Sequence, residues 1–276
     1  MPKKPELTSP PEYYYNQERS KDYTKNSRIY KIQREMSERA FELMQLNLET
    51  PNVVLDIGCG SGLSGEILRD KNCYWIGTDI STSMLDICRE RHLNPEISLA
   101  DMGHGLPFRE NFFDGCISVS ALQWICNAST SKQNPLHRIR TLFDSLYRCM
   151  KPGAWAVFQF YPENKKQLDL LTRFPAKSGF SGGLVVDFPE SKKAKKFYLC
   201  LKAGEFMKTS LSENVKGQNS RDGLEHRSLS QFAEFTKRKT RKQKRIKSNL
   251  IAKKDRLRRK GIKLSKDSKY SGRKRR

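Results

Sequence analysis

The sequence predicts a doubly wound α/β domain: a seven-stranded, mostly parallel, Rossmann-like sheet with an antiparallel last strand, followed by a basic C-terminal tail. Three observations carry that reading. Short apolar segments alternate with stretches of helical periodicity, which implies parallel strands covered by helices on both faces. The first apolar segment runs into a glycine-rich turn, Asp56-Ile-Gly58-Cys59-Gly60-Ser-Gly62, that opens a helix. The last two apolar segments are joined by too few residues to hold a helix, so they pair as a hairpin.

A helix over 28–47 opens the domain. Ser27 is a fair N-cap, and Ile32, Met36, Ala40 and Leu43 recur at three- to four-residue spacing before Thr50-Pro51. Val53-Val54-Leu55 is the first strand, and Leu63–Asp70 is the helix after the glycine turn. Tyr74–Asp79 is the second strand; Ser81 or Thr82 caps the helix Met84–Arg91, which Asn94-Pro95 ends. Ile97–Ala100 and Gly115–Val119 follow as strands. Pro135 suits the first turn of a helix whose apolar positions are Leu136, Ile139, Leu142, Phe143, Leu146 and Met150. Lys151-Pro-Gly-Ala reads as a turn before the strand Trp155–Phe160, and Glu163–Arg173 as the next helix. Gly182-Gly183 precede the strand Leu184–Phe188; Pro189–Lys195 is a hairpin loop, and Lys196–Leu201 pairs back.

Outside this domain, 28–203, the composition changes. Residues 1–27, with Pro10-Pro11 and Tyr13-Tyr14-Tyr15, read as an extended arm. Residues 204–232 lack a periodic apolar face and read as a flexible linker. In the tail, 233–276, charge decides. Residues 237–276 hold 21 Lys and Arg against Asp255 and Asp267, so they carry nearly all of the formal net charge of +23. Such a tail suits a polyanion, because releasing counterions from phosphate favours binding without reading any sequence. A nuclear-import signal has the same composition. Ile246, Leu250, Ile251 and Leu257 cannot build a core, so the weak helical pattern over 232–259 points to order acquired on a partner. No apolar run is long enough for a membrane-spanning helix, and the N-terminus lacks a secretory apolar stretch. The seven cysteines form no CxxC pair and read as buried thiols, with no disulfide framework and no zinc site.

The chemistry gathers at the strand ends. Glycines at 58, 60 and 62 let the backbone turn sharply and let a ligand lie on bare main chain. That pattern alone also fits a structural turn or a dinucleotide site. Its neighbours narrow the choice. Asp56 would repel a pyrophosphate but suits an ammonium group; Asp79, beside Ile80, can accept from ribose hydroxyls; Asp101 can accept from an adenine amino group while Met102 packs on the ring. Three acids along one sheet edge suit a cationic, adenosine-containing ligand, and S-adenosylmethionine meets that description. An NAD-dependent oxidoreductase would share Gly58, Gly60 and Asp79 but explains neither Asp56 nor the terminal hairpin.

The acceptor side falls at the end of the fourth strand, Ser118-Val-Ser120-Ala-Leu-Gln123-Trp124. The Asn/Asp-Pro-Pro-aromatic motif of exocyclic-amine methylation is absent from this position, and no Pro-Cys pair serves cytosine C5 chemistry. Trp124 fits either base stacking or core packing, and Cys126 reads as a buried thiol. A ring nitrogen with a free lone pair needs no deprotonation, so orientation toward a sulfonium methyl would supply most of the catalysis.

On these residues the pattern looks like the class I methyltransferase fold. Further strings make it resemble, more narrowly, the eukaryotic 18S rRNA guanine-N7 methyltransferase family. They are Pro10-Pro-Glu-Tyr-Tyr-Tyr15, Asn26-Ser-Arg28, Leu55 to Gly65, Asp101-Met-Gly-His-Gly105, Phe113 to Ser118, Gln123-Trp124, Tyr161-Pro-Glu-Asn164, Gly179 to Asp187, Lys193 to Leu201 and Tyr270 to Arg275. The resemblance runs from about residue 10 to the end, apart from 204–230. It implies methyl transfer from S-adenosylmethionine to N7 of one guanosine in small-subunit rRNA, a role in pre-40S biogenesis, and a place in the nucleus or nucleolus. It also implies a heterodimer with a small zinc-binding methyltransferase activator protein. That partner would add a strand at the sheet edge formed by Ile97–Ala100. In the arm, Tyr15, Tyr23 and Arg28 would fold over the cofactor. Two other readings stay open: an assembly factor with a residual cofactor pocket, and a small-molecule methyltransferase with an unrelated basic tail.

Overall fold

A computed structural model of the chain describes residues 5–91, 96–127, 133–191, 194–204 and 227–228. The chain divides into two compact units, 1–229 and 230–276. The second lies outside the described residues, as do the helical pattern expected in the tail and most of the expected linker.

Among the described residues eight strands form one sheet: β1 Val53–Ile57, β2 Tyr74–Asp79, β3 Glu96–Leu99, β4 Phe113–Val119, β5 Met150–Phe160, β6 Ser181–Asp187, β7 Lys196–Lys202 and β8 Arg227–Ser228. Their order is β3-β2-β1-β4-β5-β7-β6-β8. The first five run parallel, and β7 inserts antiparallel between β5 and β6. All seven expected strands are there. The eighth, paired antiparallel with β6, lies inside the stretch expected as linker, where two residues find open backbone groups on a sheet edge.

The helices are α1 Pro11–Tyr14, α2 Gln17–Lys25, α3 Ser27–Met44, α4 Leu63–Asp70, α5 Thr82–Glu90, α6 Pro135–Cys149 and α7 Lys165–Lys177. None of the described helices is long and apolar enough to cross a membrane. They cover the sheet on two faces. On one, Leu142, Phe143 and Leu146 of α6 pack with Leu55, Ile57 and Phe158; on the other, Ala40, Leu43 and Met44 of α3 pack with Val54, Ile117 and Val157. The split follows from strand alternation, which sends successive side chains to opposite faces.

Three expectations are corrected. The N-terminal arm is not extended: α1 begins on Pro11, and Asn16 caps α2 by accepting from Arg19 N. The cap of α3 is Asn26, whose side chain accepts from Arg28 N and Ile29 N, and Ser27 is the first helical residue. The Lys151-Pro-Gly-Ala turn is part of β5, whose register against β4 shifts between Phe113 and Gly115. A bulge there absorbs Gly153, at φ +83°, whose N–H donates to Ala203 O.

Candidate active site

The carboxyl ends of β1, β2 and β4, with the segment following β3, surround a cleft of roughly 1060 Å³ including its open mouth. Gly58, Gly60 and Gly62 all take positive φ in the turn leaving β1. A Cβ at Gly58 would lie 2.3 Å from Ala121 Cβ, so the turn can pass this neighbour only as glycine. Thr78 O accepts from Gly58 N and Cys59 N, which ties the turn to β2. Gly60 differs: its missing Cβ would meet only Met84 Sδ, at 3.9 Å, and the position faces the cleft.

Asp79 holds the turn from the other side. Its Oδ2 accepts from Gly60 N and its Oδ1 from Ser81 N, both at 2.8 Å. Burial raises its pKa, while the N–H groups of Ser81, Gly60 and Ile80 oppose that rise. A carboxylate offers about four acceptor positions. The three N–H groups leave one position for a hydroxyl of a ligand in the cleft.

The arm forms the roof. Ser81 Oγ donates to Tyr15 O at 2.9 Å, and the Tyr15 ring stands 5.8 Å from both Tyr23 and Trp124. Tyr14 also packs on Trp124. Burial raises the pKa of both the Tyr15 and Tyr23 hydroxyls, so they stay neutral donors. Ser120 sits at φ +59°, with N–H and Oγ both donating to Gln159 Oε1. Carboxylates along the floor and aromatic faces above fit a positively charged nucleoside. Among the described residues no group of His, Cys, Asp and Glu could hold a metal.

Of the residues expected at the site, Gly58, Cys59, Gly60, Asp79, Ile80, Asp101, Met102, Ser120, Trp124 and Tyr15 line the cleft, and Tyr23 joins them. Four others do not. Asp56 shares the strand face of Val54, so alternation buries it beneath α4, where Oδ2 accepts from Ser64 Oγ at 2.6 Å. Gly62 serves as the left-handed N-cap of α4. Gln123 is buried, its Nε2 donating to Ser120 O, so it braces Ser120 and does not face an acceptor base. Arg28 is exposed at the start of α3. Cys126 has its thiol pushed up to about 12 by burial, which removes the thiolate a nucleophile needs.

Gln33, Met84 and Arg138 line the cleft and were not anticipated. Arg138 left a signal. It falls four residues before Leu142 and eleven before Cys149, on the buried stripe of α6, and a charge there requires a buried partner. That partner is Asp101.

The burial of Asp56 has a measurable effect. Desolvation raises its pKa from 3.8 to about 7, opposed by the Ser64 hydrogen bond. The unfolded chain then ionises this carboxyl first. The resulting penalty on the fold is absent below pH 4, grows as pH rises toward 7 and is constant above. Asp56→Asn keeps an acceptor for Ser64 and removes the penalty. Its melting temperature should gain on the parent's between pH 5 and pH 8; a difference independent of pH would contradict this.

The chain matches two family models: "Methyltransferase domain" over residues 55–158, and "Methyltransferase involved in Williams-Beuren syndrome" over residues 201–276. It is 45% identical over 99% of its length, and 97% of the relative's, to the 18S rRNA (guanine-N(7))-methyltransferase of Mus musculus. It is 44% identical to the 18S rRNA (guanine(1575)-N(7))-methyltransferase of Saccharomyces cerevisiae, over 99% of this chain and 98% of that one. Among solved structures, a TehB-like SAM-dependent methyltransferase from Corynebacterium glutamicum superposes with a TM-score of 0.51 at 16% identity. The match covers 69% of this chain and 100% of that one, which is a likeness of fold.

Proposed function

The chain belongs to the 18S rRNA (guanine-N(7))-methyltransferase family, and from that premise we propose that it methylates N7 of a guanosine in small-subunit rRNA during pre-40S subunit assembly. It is an S-adenosyl-L-methionine-dependent enzyme. The observation that carries this reading is the cleft itself: a glycine turn and the Asp79 carboxylate on one side, an aromatic roof on the other.

When bound there, S-adenosylmethionine supplies an electrophilic methyl group on a positively charged sulfur. This chain's residues do the rest. Asp79 would accept from a ribose hydroxyl, Met102 would pack against the adenine, and Asp101 would accept from its amino group. Trp124 offers a face on which guanine stacks, worth roughly 1–3 kcal/mol. No residue has to remove a proton, because N7 carries a free lone pair. The contribution to rate is orientation and exclusion of water by Tyr15 and Tyr23.

The partner reading rests on the sheet edge. β3 is the edge strand on the β2 side of the sheet; Leu99 is 57% exposed on it, and Tyr74 at the start of β2 is 72% exposed. Ala100 N donates inward to Asp79 O, so by alternation Ile97 and Leu99 turn their N–H groups outward. A strand of the small zinc-binding activator protein would pair with them. The basic tail would anchor the enzyme on rRNA and carry it to the nucleus and nucleolus.

The test is labelled methyl transfer from S-adenosylmethionine to purified small-subunit particles, mapped to the nucleotide. One guanosine, modified at N7, is the expected result. Particle association without any transfer would favour a non-catalytic assembly factor, and turnover on a metabolite without RNA would favour a small-molecule enzyme. Leu99→Pro removes one outward N–H and should abolish co-purification of the partner; retained pairing would place that interface elsewhere.

A further inference from the structure

Asp101 is not a free carboxylate. Arg138 Nη2 straddles it, 2.7 Å from Oδ1 and 2.9 Å from Oδ2, and both side chains are nearly buried. Gly103 N also donates to Oδ1, at 2.8 Å. The exposed His104 imidazole stands 3.8 Å from Oδ2, beyond hydrogen-bond reach. With two acceptor positions on each oxygen, Oδ1 is filled and Oδ2 keeps one. Arg138 is itself held from behind, its Nη1 donating to Gln133 Oε1 at 3.0 Å. Space for the guanidinium depends on Gly103: a Cβ there would lie 2.1 Å from Arg138 Nε. Three residues from two separate segments therefore orient one carboxylate at the wall of the cleft.

We propose that Arg138, seated on the bare backbone of Gly103, is a positioning residue that makes Asp101 a fixed anionic acceptor, and so selects a 6-amino purine over a 6-oxo purine in the cofactor. This rests on the reading of the cleft as the S-adenosylmethionine site. The remaining position on Oδ2 accepts an N–H of the adenine amino group. A 6-oxo group would set its lone pairs against the same oxygen. Without Arg138 the carboxyl loses the contact that fixes it and can swing away from the purine edge. The discrimination would then fade.

The test is calorimetry of S-adenosylhomocysteine and S-inosylhomocysteine on the full-length chain, co-expressed with the activator partner. The parent should prefer the adenine compound by roughly 10- to 100-fold, the range of a hydrogen bond to a charged group. Arg138→Met should bring the two affinities within about threefold of each other. Gly103→Ala should do the same with the arginine still present, and it carries the test if Arg138→Met fails to fold. A purely structural role would weaken both ligands in parallel and leave the ratio unchanged. An unchanged ratio in folded variants, or a parent that binds both compounds equally, overturns the proposal and leaves the cofactor site standing. A parent that binds neither overturns the site itself.

Discussion

Gly60→Glu should eliminate S-adenosylmethionine binding, lowering affinity by more than about a thousandfold, while leaving the fold and the association with ribosomal particles intact. The absent Cβ of Gly60 has only Met84 Sδ within contact range, so a side chain there projects into the cleft without striking the core. At φ +54° a non-glycine residue is strained by roughly 1–2 kcal/mol, too little to unfold a domain of this size. Five added heavy atoms and a second negative charge beside Asp79 would occupy the volume a nucleoside needs. Gly60→Ala makes the contrast: the same strain with almost no obstruction, and a loss of affinity of no more than about tenfold. Removing residues 237–276 should do the reverse, keeping the calorimetric signal and losing the particles. Full methylation of the rRNA guanosine by Gly60→Glu would show that the cofactor lies elsewhere.

The largest expected effect on stability lies away from the cleft. Arg39 of α3 donates from Nε to Asp187 Oδ2 at 3.1 Å, and Asp187, at the end of β6, has a side chain only 2% exposed. Ion pairs at the surface contribute little, but deleting one partner of a buried pair strands a charge and costs about 3–5 kcal/mol. Arg39→Met should lower the melting temperature by roughly 6–20 °C, since about 1 kcal/mol shifts a domain of 150–250 residues by 2–4 °C. Glu42→Gln removes the exposed partner of the same guanidinium and should shift it by less than about 2 °C. Arg39→Met with Asp187→Leu should recover most of the loss, because an apolar pair of similar volume needs no compensating charge. If Arg39→Met melts with the parent, the pair contributes nothing and α3 is held on the sheet by its apolar face alone.

Local pattern determined much of this protein. Strand segments, helix positions and the glycine turn could be read in chain order, because alternation and 3.6-residue periodicity are properties of neighbouring residues. The start of α4 follows from its Gly-rich entry, and the ends of both α4 and β2 fall on an acid, Asp70 and Asp79. Asp79, Asp101 and Trp124 could be placed beside the cleft for the same reason: Asp79 ends a strand, and the other two lie in the short segments that leave the ends of β3 and β4. Where the pattern was weak, local reasoning failed. An arm rich in Pro and Tyr lacks a core-facing stripe of its own, and it folds into helices where it packs over the cleft.

What only the tertiary structure decided is which side chains meet. Asp56 and Asp79 look alike in sequence, both near strand ends beside glycine. One strand position sends Asp56 under α4, and another leaves Asp79 at the cleft. Arg138 lies 37 residues beyond Asp101, and Arg39 lies 148 residues before Asp187. Such pairs are set by how helices lie across a twisted sheet, a relation that neither composition nor spacing along the chain encodes. The sequence by itself therefore determined the fold, the kind of cofactor and the sheet edge at which the cleft opens. The packing decided which carboxylates face that cleft and which are buried behind its wall, because burial and pairing depend on atoms brought close only once the chain has folded.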